Sequence, residues 1–207
     1  MSSSPEESNA GGANSSGAGA EDSAPRKPLL ADLAGDDTVP GLDMTRDELL
    51  THLRGKRRSG DGWVETPEGR FWGKFGAAGL LLHDPDRGVL LQHRALWSAQ
   101  GGTWGIPGGA IDEGETPLQG AIRECHEEAG CPPVDGSGIE ILHTHVLERT
   151  GWSYTTVVAR ALEHFEAHIN DVESLALEWV PLAEVETYRL HDAFAAAWPH
   201  LRPHLEG

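Results

Sequence analysis

Apolar and acidic side chains recur with a helical period between residues 116 and 130. At about 100° per residue, one face of such a helix collects apolar side chains, and a neighbouring arc collects carboxylates. The apolar face holds Leu118, Ala121, Ile122, Cys125 and Ala129, and the acidic arc holds Glu124, Glu127 and Glu128. Thr116, Pro117 and Gln119 form a capping box, and Gly130 favours the left-handed conformation that ends a helix. The pattern predicts a helix over residues 117–129 that packs through its apolar stripe and turns its carboxylates outward together.

Strand-like segments precede this helix. Residues 71–82 contain an apolar run centred on residues 77–82, and the polar turn at residues 84–88 separates it from a second run over residues 89–94. These two runs predict a β-hairpin. Residues 95–102 read as a loop, and Trp104 and Ile106 suggest a short strand ahead of a glycine turn.

Further strands follow the helix. Residues 139–147 and 154–162 are rich in β-formers, and residues 178–182 predict an edge strand that ends at a proline. Residues 190–197 have helical composition, and Pro199 is expected to kink or interrupt that helix. Strands on both sides of one helix, with a second helix at the C-terminus, predict an α/β fold of layered α/β/α type.

The N-terminal part of the chain has a different composition. Residues 1–43 contain no aromatic residue and little apolar surface, so they predict a disordered tail. They also lack the apolar stretch of a secretory signal, and no apolar run in the chain is long enough to span a membrane. Residues 44–69 predict a short helix, which begins with a capping box at Thr45, and a connector. Residues 70–207 form the predicted domain.

Charge restricts the choice of partner. The net charge is −17, and residues 1–43 contribute −6 of it through eight acidic and two basic residues. So acidic a chain is a poor partner for duplex nucleic acid, whereas a small polyanion can bind when metal ions mediate. One basic cluster stands out, and it reads either as a phosphate contact or, more simply, as a solvated loop. The cluster consists of Arg54, Lys56, Arg57 and Arg58.

The two cysteines argue against both a disulfide and a zinc site. Cys125 and Cys131 lie across the predicted end of the helix, where a disulfide would unwind it. They therefore predict a reduced, cytosolic protein. No cysteine and histidine grouping has the spacing of a zinc site.

The glutamates of the predicted helix require compensation. Glu124 and Glu128 are like charges one helical turn apart and destabilise an isolated helix. Arg123, four residues before Glu127, can restrain one carboxylate, whereas a hard divalent cation with oxygen ligands can offset the whole set. The alternative is an acidic helix face that is simply solvated.

The complete pattern decides between these readings. Gly109, Glu115 and residues 123–131 match every fixed position of the Nudix box, G-x5-E-x7-R-E-U-x-E-E-x-G-U, where U is a bulky aliphatic residue. The two cysteines occupy the U positions and act there as small buried hydrophobes. The chain therefore resembles the Nudix hydrolases, and the resemblance implies the Nudix fold, a mixed sheet between helices.

The resemblance also implies the site. Glu124, Glu127 and Glu128 would bind Mg²⁺, with Mn²⁺ as the alternative ion, and Glu115 would support them. Glu124 is also the candidate base, and Arg123 is its orienting partner. Gly108 and Gly109 would let the backbone approach phosphates, or else simply make a turn. Arg94, followed by alanine, resembles the phosphate-binding arginine of the 8-oxo-dGTP diphosphatases, with a surface salt bridge as the alternative. Either Glu173 or Glu178 would be a distal ligand, and the looser loop around Glu173 favours it.

The expected substrate follows from the same resemblance. Sequence marks of the ADP-ribose, diadenosine polyphosphate, NADH and coenzyme A branches are missing, which leaves the branch that cleaves nucleoside triphosphates. Trp97, Trp104, Trp152 and Phe71 are candidates for stacking on a base. The competing hypotheses are a module that binds a nucleotide or sugar nucleotide without cleaving it, and an interaction protein that acts through its acidic tail. The pattern leaves open whether the protein is a monomer or a homodimer.

Overall fold

A computed structural model of the protein describes residues 58–206. The predictions for the tail over residues 1–43, for the short helix near Thr45 and for Arg54, Lys56 and Arg57 lie outside these residues. Within the described part, no helix is long and apolar enough to cross a membrane.

Residues 58–206 form nine strands and two α-helices. The strands are β1 Trp63–Thr66, β2 Gly69–Trp72, β3 Ala77–Asp84, β4 Gly88–Arg94, β5 Trp104–Gly105, β6 Gly108–Ala110, β7 Ile139–Arg149, β8 Trp152–Ala161 and β9 Ser174–Val180. The helices are α1 Pro117–Ala129, between β6 and β7, and α2 Asp192–Leu201, after β9. Short 3₁₀ turns at Val185–Thr187 and Arg202–His204 flank α2.

Seven of these strands form one mixed sheet in the order β5-β4-β3-β8-β7, in which β6 also pairs with β3 and β9 with β4. The central pair, β3 and β8, is parallel, and the other pairs are antiparallel. Strands β1 and β2 form a separate hairpin. The central position of β3 explains why it is buried along its whole length, since strands at the centre of such a sheet are covered on both faces.

Each face of the sheet packs against one helix. Alternate residues of β3 and β8 divide between two cores, as the period of two in a strand requires. One core joins α1 to the sheet through Ala78, Leu80, Leu82, Val157, Ala159, Ala121, Cys125 and Ala129. The other joins α2 to the opposite face through Leu81, Val158, Leu91, Phe194, Trp198 and Leu201. The predicted α/β/α layering is confirmed, and Cys125 and Cys131 are buried free thiols.

The predicted bounds of α1 are confirmed. The Thr116 side chain accepts from the Gln119 N–H, the Gln119 side chain accepts from the Thr116 N–H, and Gly130 ends the helix at φ 74°. Leu118 was wrongly predicted to pack with the apolar stripe, because it is 39% exposed. It lies in the first turn of the helix.

The connector was assigned wrongly. Residues 63–69 contain β1 and the turn that leads into β2, and the positive φ of Gly69, 133°, allows this tight reversal. Of the two outcomes expected at Pro199, a kink or an interruption, the interruption does not occur, because α2 continues to Leu201. Trp198 and Leu201 are both buried beside it, so packing of the last turn offsets the one backbone hydrogen bond that proline cannot make.

A buried carboxylate closes the turn between β3 and β4. The Asp84 carboxylate accepts from the Arg87 guanidinium, with Nε at 2.8 Å, and contacts His164 Nδ1 at 2.7 Å. Together with the Asp86 carboxylate, Asp84 and His164 form the one grouping of three such side chains in residues 58–206 whose ligand atoms all lie within 4.8 Å of one another; the glutamates of α1 do not lie that close together. Because the Arg87 guanidinium already binds the Asp84 carboxylate, we assign a structural role to these three residues.

We expect Asp84 to make stability depend on pH below neutrality. Burial opposes ionisation, but His164, the Asp86 N–H and Arg87 lower the pKa of Asp84 from 3.8 to about 2. A depressed carboxyl pKa contributes stability above its unfolded value, and that contribution, about 2 kcal/mol, disappears as the pH falls from about 4 through 2. Urea unfolding of the wild type and Asp84→Asn at pH 5.5 and pH 2.5 measures this contribution. The difference in free energy of unfolding between the two proteins should be smaller at pH 2.5, and an unchanged difference would contradict this assignment.

Candidate active site

The glycines that lead into α1 form a strand instead of the predicted turn. Gly108 and Gly109 belong to β6 and pair with Gly79 and Ala78 of β3. A Cβ at Gly109 would stand 2.6–2.9 Å from the carboxylate atoms of Glu124. Glycine is therefore required there because the Glu124 carboxylate lies directly against the backbone of β6.

Glu128 lies on the same side of α1, where it closes the gap between helix and sheet. Its Oε2 accepts a hydrogen bond of 2.9 Å from the Gly108 N–H. The residue is only 8% exposed, so the prediction that all three glutamates face outward was wrong for Glu128. Glu128 lies at the boundary between the acidic arc and the apolar stripe, and β6 covers it.

Arg123 connects the carboxylates. Its guanidinium binds both oxygens of Glu115 at 2.8 and 2.9 Å, donates to Glu124 Oε1 at 2.7 Å and reaches Glu127 Oε2 at 3.3 Å. It also donates to the Ala110 carbonyl at 2.8 Å. The sequence predicted that Arg123 restrains one carboxylate, whereas it contacts three. Burial alone would lower the pKa of Arg123, but Glu115 and Glu124 raise it above its ordinary value.

Two carboxyl groups of the cluster, those of Glu124 and Glu128, resist ionisation. Burial raises the pKa of the Glu124 carboxyl to about 7, although Arg123 opposes the shift. Burial also raises the pKa of Glu128 well above its ordinary range, and the charges of Glu124, Asp171 and Glu173 raise it further. These shifts show that both carboxylates are costly to ionise where they lie.

A second arginine reaches the cluster from outside the box. The Arg58 guanidinium forms ion pairs with Glu127 and, at 3.0 Å, with Asp112. The expectation of a solvated loop was therefore wrong for this member of the basic cluster. No local signal indicated the contact, because 69 residues separate Arg58 from Glu127.

This arrangement fits a divalent cation. Glu115, Glu124, Glu127 and Glu128 converge beside β6, and the described guanidinium groups that contact them belong to Arg123 and Arg58. Carboxylate oxygens are the donors that hard divalent ions prefer. A bound cation would favour the ionised forms of Glu124 and Glu128, which burial disfavours.

The two distal candidates have different surroundings. Glu173 lies where its charge acts on Glu128, and its backbone carbonyl accepts from the Ala95 N–H at 2.7 Å. Glu178 is exposed on β9 and accepts from the Tyr188 hydroxyl at 3.0 Å.

Arg94 stands at the end of β4. Its Nε donates to the Ala99 carbonyl at 3.2 Å, and within residues 58–206 it forms no ion pair, so the surface salt bridge considered from the sequence does not form there. The Arg94 charge acts on Tyr154 and His191.

Sequence reasoning missed Tyr154 as part of this site. A Cβ at Gly79 would collide with its hydroxyl, and one at Gly108 would approach that hydroxyl to 3.0 Å. Burial raises the pKa of the Tyr154 hydroxyl, and the charge of Glu128 raises it further. Gly79 and Gly108 pair in adjacent strands, and neither has a side chain in the space beside the Tyr154 hydroxyl. The sequence does not give the register of these strands, so it could not indicate Tyr154.

Three of the four candidate stacking residues already have aromatic partners. Trp104 stacks on His93 with a centroid distance of 4.6 Å and contacts Tyr188 edge to face. Phe71 stacks on Trp152 at 4.5 Å. These contacts favour a packing role for Trp104, Phe71 and Trp152.

Comparison with known proteins gives a consistent result. The NUDIX domain model matches residues 73–201. A Mycobacterium tuberculosis (strain H37Rv) protein named "Putative 8-oxo-dGTP diphosphatase 3" is 49% identical over 157 residues, which cover 70% of each chain. A Bifidobacterium longum "Nucleoside triphosphate pyrophosphatase/Nudix hydrolase fusion protein" is 42% identical over 167 residues, covering 76% of this chain and 34% of that protein.

A solved structure agrees. The crystal structure of the Nudix hydrolase RenU from M. smegmatis is 46% identical, with a TM-score of 0.61, and the match covers 70% of this chain and 94% of that one. The intact box, the layered fold and these matches lead to one assignment. The chain belongs to the Nudix family and is a Nudix-type pyrophosphohydrolase.

Proposed function

We propose that this Nudix hydrolase depends on Mg²⁺, with Mn²⁺ as an alternative ion, and cleaves a nucleoside triphosphate to the monophosphate and pyrophosphate. Oxidised triphosphates such as 8-oxo-dGTP belong to the proposed substrate class. The observation that carries the proposal is the group of four glutamates beside β6, of which Glu128 is buried and Glu115 and Glu124 are partly buried. The name of the relative that is 49% identical supports the choice of triphosphates.

The glutamates have distinct roles in this proposal. Glu124, Glu127 and Glu128 hold the metal, and Glu115 supports them by fixing Arg123. When bound, Mg²⁺ offsets the charge on the phosphate oxygens and takes only one or two carboxylates per ion, which suits a cluster better than a closed cage. Glu124 is the candidate base, and Arg123 orients it through a 2.7 Å contact.

The remaining contacts would position the substrate. Arg94 forms no ion pair with a described residue, so its guanidinium is available to a phosphate, which such a group recognises well. Gly108 and Gly109 leave the backbone of β6 uncovered by side chains of their own beside the carboxylates. Together they would hold the triphosphate along the edge of β6.

We expect Glu173, and not Glu178, to be the distal metal ligand. The charge of Glu173 acts on Glu128, whereas Glu178 is exposed and bound to Tyr188. Glu173→Gln should lower turnover and raise the Mg²⁺ concentration for half-maximal activity about tenfold or more. Glu178→Gln is the matched control and should change neither quantity. Steady-state rates over a Mg²⁺ titration decide, and the reverse pattern would contradict the assignment.

A nucleotide panel tests the proposed substrate class. Normal and oxidised triphosphates, ADP-ribose and diadenosine polyphosphates are each incubated with the full chain, with and without Mg²⁺, and the products are separated. We expect triphosphates to give the highest kcat/KM and to release pyrophosphate only with Mg²⁺. No turnover on any compound that contains a diphosphate would overturn the proposal, and tight binding without turnover would instead support a sensing module.

A further inference from the structure

The carboxylate of Glu127 is engaged on both oxygens by two different arginines. Arg58 binds Oε1, and Arg123 Nη1 lies 3.3 Å from Oε2. Glu127 is one of the proposed metal ligands, so the inference rests on the metal site of the proposed function. An ion that coordinates Glu127 would approach an oxygen that already has a guanidinium beside it, so the two like charges compete for the carboxylate.

Arg123 is held too firmly to leave. Its side chain is only 11% exposed, and it also binds both oxygens of Glu115 and the Ala110 carbonyl. The Arg58 side chain is 40% exposed, and its other ion pair is with Asp112. Displacing Arg58 thus breaks one partly exposed contact, whereas displacing Arg123 would leave the partly buried Glu115 without its partner.

The backbone at Arg58 is anchored independently of Glu127. The Asp112 carboxylate accepts from the Ser59 hydroxyl and from the Gly60 N–H, both at 3.0 Å. The Ser59 hydroxyl in turn accepts from the Glu113 N–H at 2.8 Å. Gly60 lies so close to the Ile111 carbonyl that a Cβ would collide with it. This segment, Arg58 to Gly60, keeps the guanidinium beside the cluster whether or not the contact with Glu127 is made.

We propose that Arg58 is an exchangeable internal cation that occupies Glu127 in the metal-free protein and competes with the divalent ion for it. Arg58 neutralises part of the cluster when no metal is bound. When the ion binds, Arg58 releases Glu127 and keeps its ion pair with Asp112. The divalent ion requirement of the enzyme is therefore set partly by a residue that lies 51 positions before Gly109, outside the box.

Direct measurement of Mn²⁺ binding to the full chain without nucleotide tests this role. Free Mn²⁺ is followed by electron paramagnetic resonance during titration of the wild type, Arg58→Gln, Arg58→Lys and Arg70→Gln. Removing a competitor whose ion pair is partly exposed should tighten Mn²⁺ binding about two- to fivefold in Arg58→Gln. Arg58→Lys retains the charge and should stay closer to the wild type. Arg70, exposed and paired with Glu65, is the matched control and should leave binding unchanged.

The direction of the effect makes the test decisive. Structural damage would weaken metal binding, so tighter binding in Arg58→Gln supports competition. Unchanged or weaker binding in Arg58→Gln would overturn the proposal, as would equal tightening in Arg70→Gln. Failure of this inference is separate from failure of the proposed function, because the nucleotide panel can show Mg²⁺-dependent turnover while the Mn²⁺ affinity stays the same across the four proteins.

Discussion

Glu128→Gln is expected to reduce turnover at least a hundredfold while raising the melting temperature of the metal-free protein. Glutamine retains an acceptor for the Gly108 N–H, so the fold should be preserved. It removes a carboxyl group whose pKa is raised mainly by burial and further by the charge of Glu124, and removing the cost of burying that group should raise the melting temperature by about 2–4 °C. Turnover should fall because the proposed metal loses a ligand that supplies several kcal/mol of charge stabilisation.

Glu113→Gln is the matched control for Glu128→Gln, because Glu113 is an exposed glutamate at a variable position of the box. It should leave both the rate and the melting temperature unchanged. Steady-state kinetics at saturating Mg²⁺ and differential scanning calorimetry provide the two readouts. A fully active Glu128→Gln protein would mean that the carboxylate has no part in catalysis, and a lower melting temperature would contradict the electrostatic account.

Arg123→Met is expected to have the largest effect on stability. The substitution retains much of the apolar stem but removes the group that contacts Glu115, Glu124 and Glu127. Removing one partner from a buried ion pair leaves uncompensated charge, and we expect the free energy of unfolding to fall by about 3–5 kcal/mol. Activity should fall with it, since Glu124 loses its orienting contact.

Urea unfolding at pH 7 measures the effect of Arg123→Met, with Arg202→Met as the control. Arg202 pairs with Glu206 and Glu186 at the surface, and losing these contacts should cost less than about 1 kcal/mol. An Arg123→Met protein as stable as this control would show that the carboxylates do not need the guanidinium.

Local sequence signals were sufficient for the framework of the site. The capping box at Thr116 and the left-handed Gly130 depend on contacts within one or two turns, so both ends of α1 were predictable. The apolar run over residues 77–82 likewise indicated the strand β3. The spacing of Gly109, Glu115 and the glutamates of α1 identified the family, because chemistry at a fixed site requires fixed spacing along a helix.

Contacts between distant residues could not be predicted in the same way. The burial of Glu128 depends on β6 crossing above the helix, and the position of Tyr154 depends on the register of β3 with β6 and β8. The ion pair between Arg58 and Glu127 depends on how the segment before β1 meets Asp112. In each case a tertiary contact decides the environment of a residue whose local sequence was uninformative.

Several expectations remain predictions. The reduced, cytosolic setting rests on the two cysteines, and the choice between monomer and homodimer rests on no described contact. The division of the chain at residues 43 and 69 is also a proposal. The β1–β2 hairpin, which spans residues 63–72, extends the folded part to the N-terminal side of that second boundary.

The most direct test of the central claim is product analysis with a nucleoside triphosphate, comparing the wild type with the double variant Glu127→Gln and Glu128→Gln. Anion-exchange chromatography separates the monophosphate, the diphosphate and pyrophosphate. With Mg²⁺, the wild type should release equal amounts of monophosphate and pyrophosphate. Neither the wild type with a chelator nor the double variant should form any product. Equal rates for both proteins, or turnover that continues without a divalent ion, would contradict the central claim.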